Sequence, residues 1–598
     1  MSDSANGTGD SSHTTGSRRE FMVTATTFAA FASAAGLAPV GRAATSPAAS
    51  GPTLPDENPV GARAASAAVS ASAIAAAEQL AGIAFTPKER AQMARTVGEQ
   101  LERFSVRAAF GELPNSLAPA QVFSVLLPGE RLPAEPVATS PEAARAIAPA
   151  KAPPSSPSEL DFATVGQLAE WMHGGHITSR MLVERAIARL RAANPTLLCA
   201  ITIVTDQALA EADARDAEAR RGAWRGPLHG IPYGLKDIFD TAGIATTWGA
   251  EPWRDRVPAS DAVAVSRLRD AGAIMVAKTA VGALAYGDIW FGGTCRNPWD
   301  PEKGSSGSSA GSASAVAAGC VPFAIGTETL GSIVSPCERC GTTGLRPTFG
   351  RVSREGCMAL CWSWDKIGPI TRCVADTALV LEAINGASIG DPSSVSVPFR
   401  TGASRPVPKM RVALDPAWLE ADKGRVMPAA IAALRDAGVT VVERTMTPPG
   451  DPEMLMTSLT AEAAAAFESM TRSGADDQLS WQADDAWPNT FRQAWFVPAI
   501  ELVQAERLRR RFMEWMRTCM GDADALLCPP FAGGMLMITN ATGYPCLVQR
   551  AGFIDTRTPT ALTLIGRPFD EGTLVALGTA IERRLEVWQR TPTLFPQP

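Results

Sequence analysis

Between Gly304 and Gly319 the chain reads GSSGSSAGSASAVAAG, a density of serine and glycine that in isolation marks a flexible linker. The next residues rule a linker out: AVAAG runs into VPFAIGTETLGSIVSP, a helix, then a strand, then a tight turn. The segment is therefore structured, and its small residues let backbone N–H groups come close to a reacting atom. Alternating helix and strand signals continue from about Asp161 onward, the texture of a layered α/β domain. In one unit Thr178 or Ser179 caps a helix with Val183, Ile187 and Leu190 on one face, which stops at Asn194-Pro195 before the strand-like LLCAITIV. In another, a helix over Ala262 to Asp270 passes through Gly272 into the apolar run Ala273 to Ala277.

Upstream the texture differs. Residues 1–44 read as a twin-arginine export signal: Arg18 and Arg19 precede a mild apolar run from Phe21 to Val40 that ends in small residues. Gly36, Pro39 and the alanine-threonine dilution make that run a poor permanent membrane anchor, so the export machinery is the expected partner and the mature protein is expected outside the cytoplasmic membrane, periplasmic or secreted. Residues 45–131 read as an N-terminal extension with two alanine-rich helical patches between Ser66 and Phe104, and residues 132–160 as a Pro/Ala/Ser-rich linker. The main domain then occupies 161–598. A net charge of -6 with no arginine- or lysine-rich stripe argues against a nucleic-acid partner.

The candidates for a catalytic base are few. Of four histidines, His13 lies in the signal and His173 and His176 flank a Gly-Gly turn, so a Ser-His-Asp machine would rest on His229 or that pair. A lysine desolvated among apolar neighbours is the stronger base for a serine, because burial lowers its pKa toward the working range. Lys236, in GIPYGLKD, and Lys278, ending AIMVAK, both qualify, and the residues alone do not choose between them. Asp237 is placed to pair with a lysine and keep it charged. Eleven cysteines is an odd number, and the Cys337, Cys340, Cys357 and Cys361 cluster has zinc-like spacing, but its intervening residues favour an ordinary core role over a metal site or disulfides.

The segments HGIPYGLKDIFDTAG, NPWDPEKGSSGSSAGSASAVAAG, AIGTETLGSIVSP and GTTGLRPTFGRVS, followed by SWDKIGPITRCVADTALVLEAI, resemble the amidase signature family in order and spacing. The resemblance implies a central mixed, twisted β-sheet covered by helices on both faces. It implies a Ser-Ser-Lys triad: Lys236 as base, Ser308 on a cis peptide bond as proton relay, and Ser332, 24 residues on, as nucleophile. It also implies an oxyanion hole from the N–H groups of Thr329, Leu330, Gly331 and Ser332, a small-molecule amide substrate, and neither cofactor nor metal. Lys278 matches a position with no triad role.

The chain departs from the family pattern near the nucleophile. Leu330-Gly331 stand for two glycines, and a leucine needing a positive φ would be strained. Glu328 stands for an aspartate and Val334 for an arginine, changing both sides of an expected ion pair. Ala310 stands for a glycine, and Ser305-Ser306 for Pro-Gly. Two readings compete with an active amidase: a family member that binds an amide without turnover, and the A-type subunit of a transamidation complex. Specificity is expected from Ala403 to Gly543, where Trp481, Trp487 and Trp495 are candidate pocket walls. The extension reads as a cap over the site or as an element of assembly, a homo-oligomer included.

Overall fold

One mixed sheet of eleven strands organises the computed structural model, which describes residues 69–109, 111–133, 156–399 and 405–593. In chain order the strands are β1 (Ala200–Ile203), β2 (Pro232–Lys236), β3 (Ile274–Thr279), β4 (Phe323–Glu328), β5 (Thr343–Arg346), β6 (Lys366–Thr371), β7 (Arg411–Leu414), β8 (Thr440–Glu443), β9 (Ala525–Cys528), β10 (Cys546–Phe553) and β11 (Pro559–Gly566). Across the sheet they run β1-β3-β2-β4-β6-β5-β10-β11-β9-β7-β8. β2 lies parallel to both β3 and β4, while β4, β6, β5, β10, β11 and β9 pair antiparallel in succession. Every residue of β2, β3, β4, β5, β6, β9 and β11 is buried, as befits strands covered on both faces by helices. The mixed α/β architecture expected from the sequence is the one observed.

The Ser/Gly segment finds its explanation in packing. The helix Ala310–Ala317 is buried along its whole length and presses on the sheet beneath it. At Gly311 a Cβ would lie 2.1 Å from the Cys199 carbonyl oxygen, so a side chain larger than hydrogen would push the helix off. The helix Ser179–Leu197 is capped by Thr178, whose hydroxyl accepts from Met181 N–H at 3.2 Å, and buries Val183, Ile187 and Leu190 as expected. It does not stop at Asn194-Pro195 but runs to Leu197. A proline this close to the end removes a single N–H, and the Asn194 side chain fixes the exit by bonding both the N–H and the C=O of Ala200.

In the extension, helices span Ala71–Ala81 and Pro87–Ala109. Ser70 caps the first through Ala73 N–H at 3.1 Å, Gly82 ends it at φ 64°, and a Glu78–Arg90 ion pair of 2.6 Å ties the two together. The export signal read over 1–44 and most of the linker read over 132–160 lie outside the described residues. The last part of that linker range is a helix, Pro157–Asp161, and Asp161 is buried against Arg185 and Arg189, so ordered packing begins slightly before the expected boundary. Among the described residues no helix is long and apolar enough to cross a membrane.

Candidate active site

The two candidate lysines lie near the ends of neighbouring strands but have different surroundings. Lys236, the last residue of β2, is fully buried and bonds the Ser308 hydroxyl at 2.8 Å and the Thr327 hydroxyl at 2.7 Å. No carboxylate is within ion-pairing distance of it among the described residues, and burial pulls its ammonium down to about 7. Lys278, on β3, takes the carboxylate instead: its Nζ is 3.2 Å from Asp237, 2.7 Å from the Phe239 carbonyl and 2.6 Å from the Thr246 hydroxyl. Asp237 is held by the N–H of Thr247 at 2.8 Å and by its hydroxyl at 2.5 Å. The pairing that would have kept Lys236 charged is therefore made with Lys278.

Ser308 follows a cis Gly307–Ser308 bond. A Cβ on Gly307 would lie 1.9 Å from the Gly287 carbonyl oxygen, so only glycine fits the crossing. Ser306 adopts φ 60°, the left-handed conformation that glycine takes readily, and donates its N–H to Asp288 at 2.9 Å. Ser309 locks the loop to the end of β4: its hydroxyl donates to the Thr327 carbonyl at 3.1 Å and accepts from Thr327 N–H at 3.2 Å. Its own N–H donates to the Ser332 carbonyl at 3.1 Å, joining the Ser308 and Ser332 loops.

Ser332 lies in the turn between β4 and the helix Val334–Cys340 and is 7% exposed, with no hydrogen-bond partner for its hydroxyl among the described residues. Nor do the N–H groups of Thr329, Leu330, Gly331 and Ser332 have a protein acceptor there. Four consecutive free donors beside an unengaged hydroxyl are what stabilisation of an oxyanion requires. The loop is held from below. The Glu328 carboxylate accepts from Ile333 and Val334 N–H at 2.8 and 2.9 Å on one oxygen, and from Arg346 and the Asn540 amide at 2.5 and 2.7 Å on the other. Burial alone would raise the Glu328 carboxyl, but Arg346 and these donors outweigh it and hold it below its ordinary value. Thr329 donates its hydroxyl to Asp365 at 2.5 Å, whose other oxygen accepts from Leu360 and Cys361 N–H.

Comparisons with known proteins find relatives in sequence and in fold. The family model described as Amidase matches residues 181–575. The A subunit of glutamyl-tRNA(Gln) amidotransferase from Moorella thermoacetica is 34% identical over 73% of this chain and 99% of its own length. Its counterpart from Chloroflexus aggregans is 31% identical with equal coverage. Native peptide amidase from Stenotrophomonas maltophilia superposes with a TM-score of 0.64 at 31% identity, over 72% of this chain and 98% of that one.

The chain belongs to the amidase signature family.

Against that family's pattern, two departures near the nucleophile can be followed in the backbone and the ion pairs. The positive φ falls on Gly331, at 84°, and not on Leu330, which packs against the core unstrained. Leu330→Gly is therefore expected to leave the turnover rate within about threefold of the parent, as measured by steady-state kinetics, since no backbone strain is relieved. The ion pair missing at Val334 is re-formed from another direction: Arg346, at the end of β5, supplies the cation that Glu328 needs. Sequence reading missed Arg346, Thr327, Asp365 and Asn540. The first was visible as a charge ending an apolar strand in GTTGLRP, but its partner is set by the pairing of β5 with β6 and β10 and by the fold around them.

Other candidates lie apart from this centre. His229 is buried with its Nε2 3.0 Å from the Arg215 carbonyl and its ring against Trp224, and no serine among the described residues is bonded to it. All eleven cysteines are free thiols, ten of them buried in the core. Trp487 is buried, donates to the Leu284 carbonyl at 3.0 Å and stacks on Phe491. Trp481 stacks on Tyr286, and Trp495 lies half-exposed under Arg472. A cavity open at its mouth reaches Thr327 and Thr329, and none of the three tryptophans lines it. Nor does any residue between Ala403 and Gly543: its walls come from the 354–367 segment, Ile238 and Ala285, and from Asn115, Ser116 and Ala118 of the extension. The three tryptophans are instead taken up in packing around Tyr286 and on the surface.

Proposed function

We propose that the protein is an amidase that cleaves a linear carboxamide to a carboxylate and ammonia or an amine. Ser332 Oγ attacks the carbonyl carbon while its proton passes to Ser308, and the Ser308 proton to neutral Lys236. The oxyanion is received by the N–H groups of Thr329, Leu330, Gly331 and Ser332, each worth about 3 kcal/mol of barrier. Ser308 then gives a proton to the leaving nitrogen, regaining one from Lys236, and the C–N bond breaks; water attacks the acyl-enzyme as its proton passes through Ser308 to Lys236, and the relay runs back to reprotonate Ser332 as the carboxylate leaves. The observation that carries this reading is the 2.8 Å contact of a fully buried, carboxylate-free Lys236 with Ser308.

The pH profile tests it. Because the neutral lysine is the active form and burial sets its pKa to about 7, kcat/KM is expected to rise as pH increases through about 7 and to level off above it. A profile that falls across that interval, or is flat from pH 5 to 9, overturns Lys236 as the base.

The 34% identity to an amidotransferase component favours a second reading, a subunit that cuts an amide within a larger complex. The two separate on purification. Turnover of simple amides by the isolated chain supports the stand-alone amidase, whereas activity that appears only with added partner subunits supports the second. Absence of turnover together with absence of fluorophosphonate labelling supports a non-catalytic amide binder.

A further inference from the structure

After the helix Pro87–Ala109 the extension crosses the main domain in residues 111–123, of which Asn115, Ser116 and Ala118 line the cavity that reaches Thr327 and Thr329. The Asn115 side chain makes a reciprocal pair with the main chain of Ala359, donating to its carbonyl and accepting from its N–H, each at 2.8 Å. The Asn115 carbonyl accepts from Trp362 Nε1 at 3.1 Å. Ala359 and Trp362 belong to the segment whose Leu360 and Cys361 N–H groups hold Asp365, the acceptor for Thr329 of the oxyanion loop. Before and after the crossing the chain is tied down. Arg107 pairs with Glu468, Phe123 packs edge-on to Phe349 with the Arg509 guanidinium 3.6 Å from its ring centroid, and Glu130 pairs with Arg517 at 2.6 Å.

Beyond the crossing lies a second, larger cavity, lined by Gln121, Val122, Phe123, Glu462, Leu502 and Val503 among others. Ala118, Arg354, Trp362 and Pro392 line both cavities, so the crossing stands where the inner space beside Thr327 and Thr329 meets the outer, larger one. The crossing lies N-terminal to residues 181–575, the part matched by the family model, so this wall is built from outside the shared domain.

We infer that residues 111–123 are a substrate-size-determining strap, in which Asn115 fixes the position of the wall and Ala118 sets its thickness, so that amides with a short chain on the side facing the inner cavity are preferred over long ones. The inference rests on the amidase reading above. A strap pinned at both ends and bonded to rigid backbone at its middle resists displacement by a long substrate chain, and that resistance weakens transition-state binding, which is how a pocket discriminates by length.

The test is kcat/KM of the full chain on two series: straight-chain acyl p-nitroanilides from acetyl to octanoyl, and N-alkyl acetamides from methyl to octyl. Asn115→Ala is expected to raise the long-to-short ratio about tenfold in one of the two series, and Ala118→Trp to lower it in the same series. If both active variants keep the parental ratios within twofold in both series, the strap does not set substrate size and the inference is overturned. Should Asn115→Ala fail to fold, Ala118→Trp decides alone, since it adds volume at a half-buried position and breaks no hydrogen bond. Parental cleavage of the shortest members keeps failure of the strap distinct from failure of the amidase reading, which shows as no cleavage in either series and no labelling of Ser332.

Discussion

Ser332→Ala is expected to lower kcat by at least about 10⁴-fold while leaving the melting temperature within a few degrees of the parent. The activity loss follows from removing the attacking oxygen. The unchanged stability follows from the surroundings: the hydroxyl has no hydrogen-bond partner among the described residues, so its removal leaves no buried group unsatisfied. Lys236→Ala is expected to lose a comparable factor, and the double variant to be no slower than either single one, because nucleophile, relay and base act as one unit. Steady-state amine release by the three variants checks this. Additive losses would mean that Lys236 and Ser332 work independently, contrary to the relay through Ser308.

Arg346→Ala is expected to cost about 3–5 kcal/mol of unfolding free energy by chemical denaturation, the largest stability effect of any single change discussed. Arg346 and Glu328 are both wholly buried, and removing the guanidinium leaves a carboxylate charged in a low-dielectric interior with only Asn540 and two backbone N–H groups as partners. Arg346 also bonds the Thr539 hydroxyl at 2.9 Å and the Tyr544 carbonyl at 3.0 Å, so two more acceptors lose its guanidinium. The double variant Glu328→Gln with Arg346→Met is expected to recover at least half of the loss, because it removes the orphan charge. Turnover in the double variant is nonetheless expected to stay well below that of the parent, since the Glu328 carboxylate is also the anchor of Ile333 and Val334 and so shapes the oxyanion loop. A loss below about 1 kcal/mol for Arg346→Ala would show that the pair is not what holds the loop.

Much of this was legible in the sequence because local chemistry carried it. The Gly/Ser run, the short helix after it and the strand leading into the Gly331-Ser332 turn are adjacent in sequence, and their order in the fold is their order in the chain. The choice between Lys236 and Lys278 was not legible from the residues, since both lie near the ends of buried apolar strands. It is decided by which of two neighbouring strands carries its lysine toward Asp237, a fact of the β2 and β3 pairing. Leu330 was read as a point of strain because glycine is usual there, yet strain depends on φ, and φ is fixed by the turn and not by the residue name. Ser306, also standing for a glycine, does take the left-handed conformation. The strap was beyond reach for a different reason: Asn115 meets Ala359 across 244 residues, and no pattern in GELPNSLAP announces a partner so distant.

The most direct test of a Lys236-activated Ser332 is the site and rate of reaction with a fluorophosphonate probe, followed by peptide mapping in the parent and in Lys236→Ala. The expected result is a single adduct on Ser332 in the parent, formed at least about 10³-fold more slowly when Lys236 is alanine. An adduct on another residue, or equal rates in the two proteins, would contradict the account.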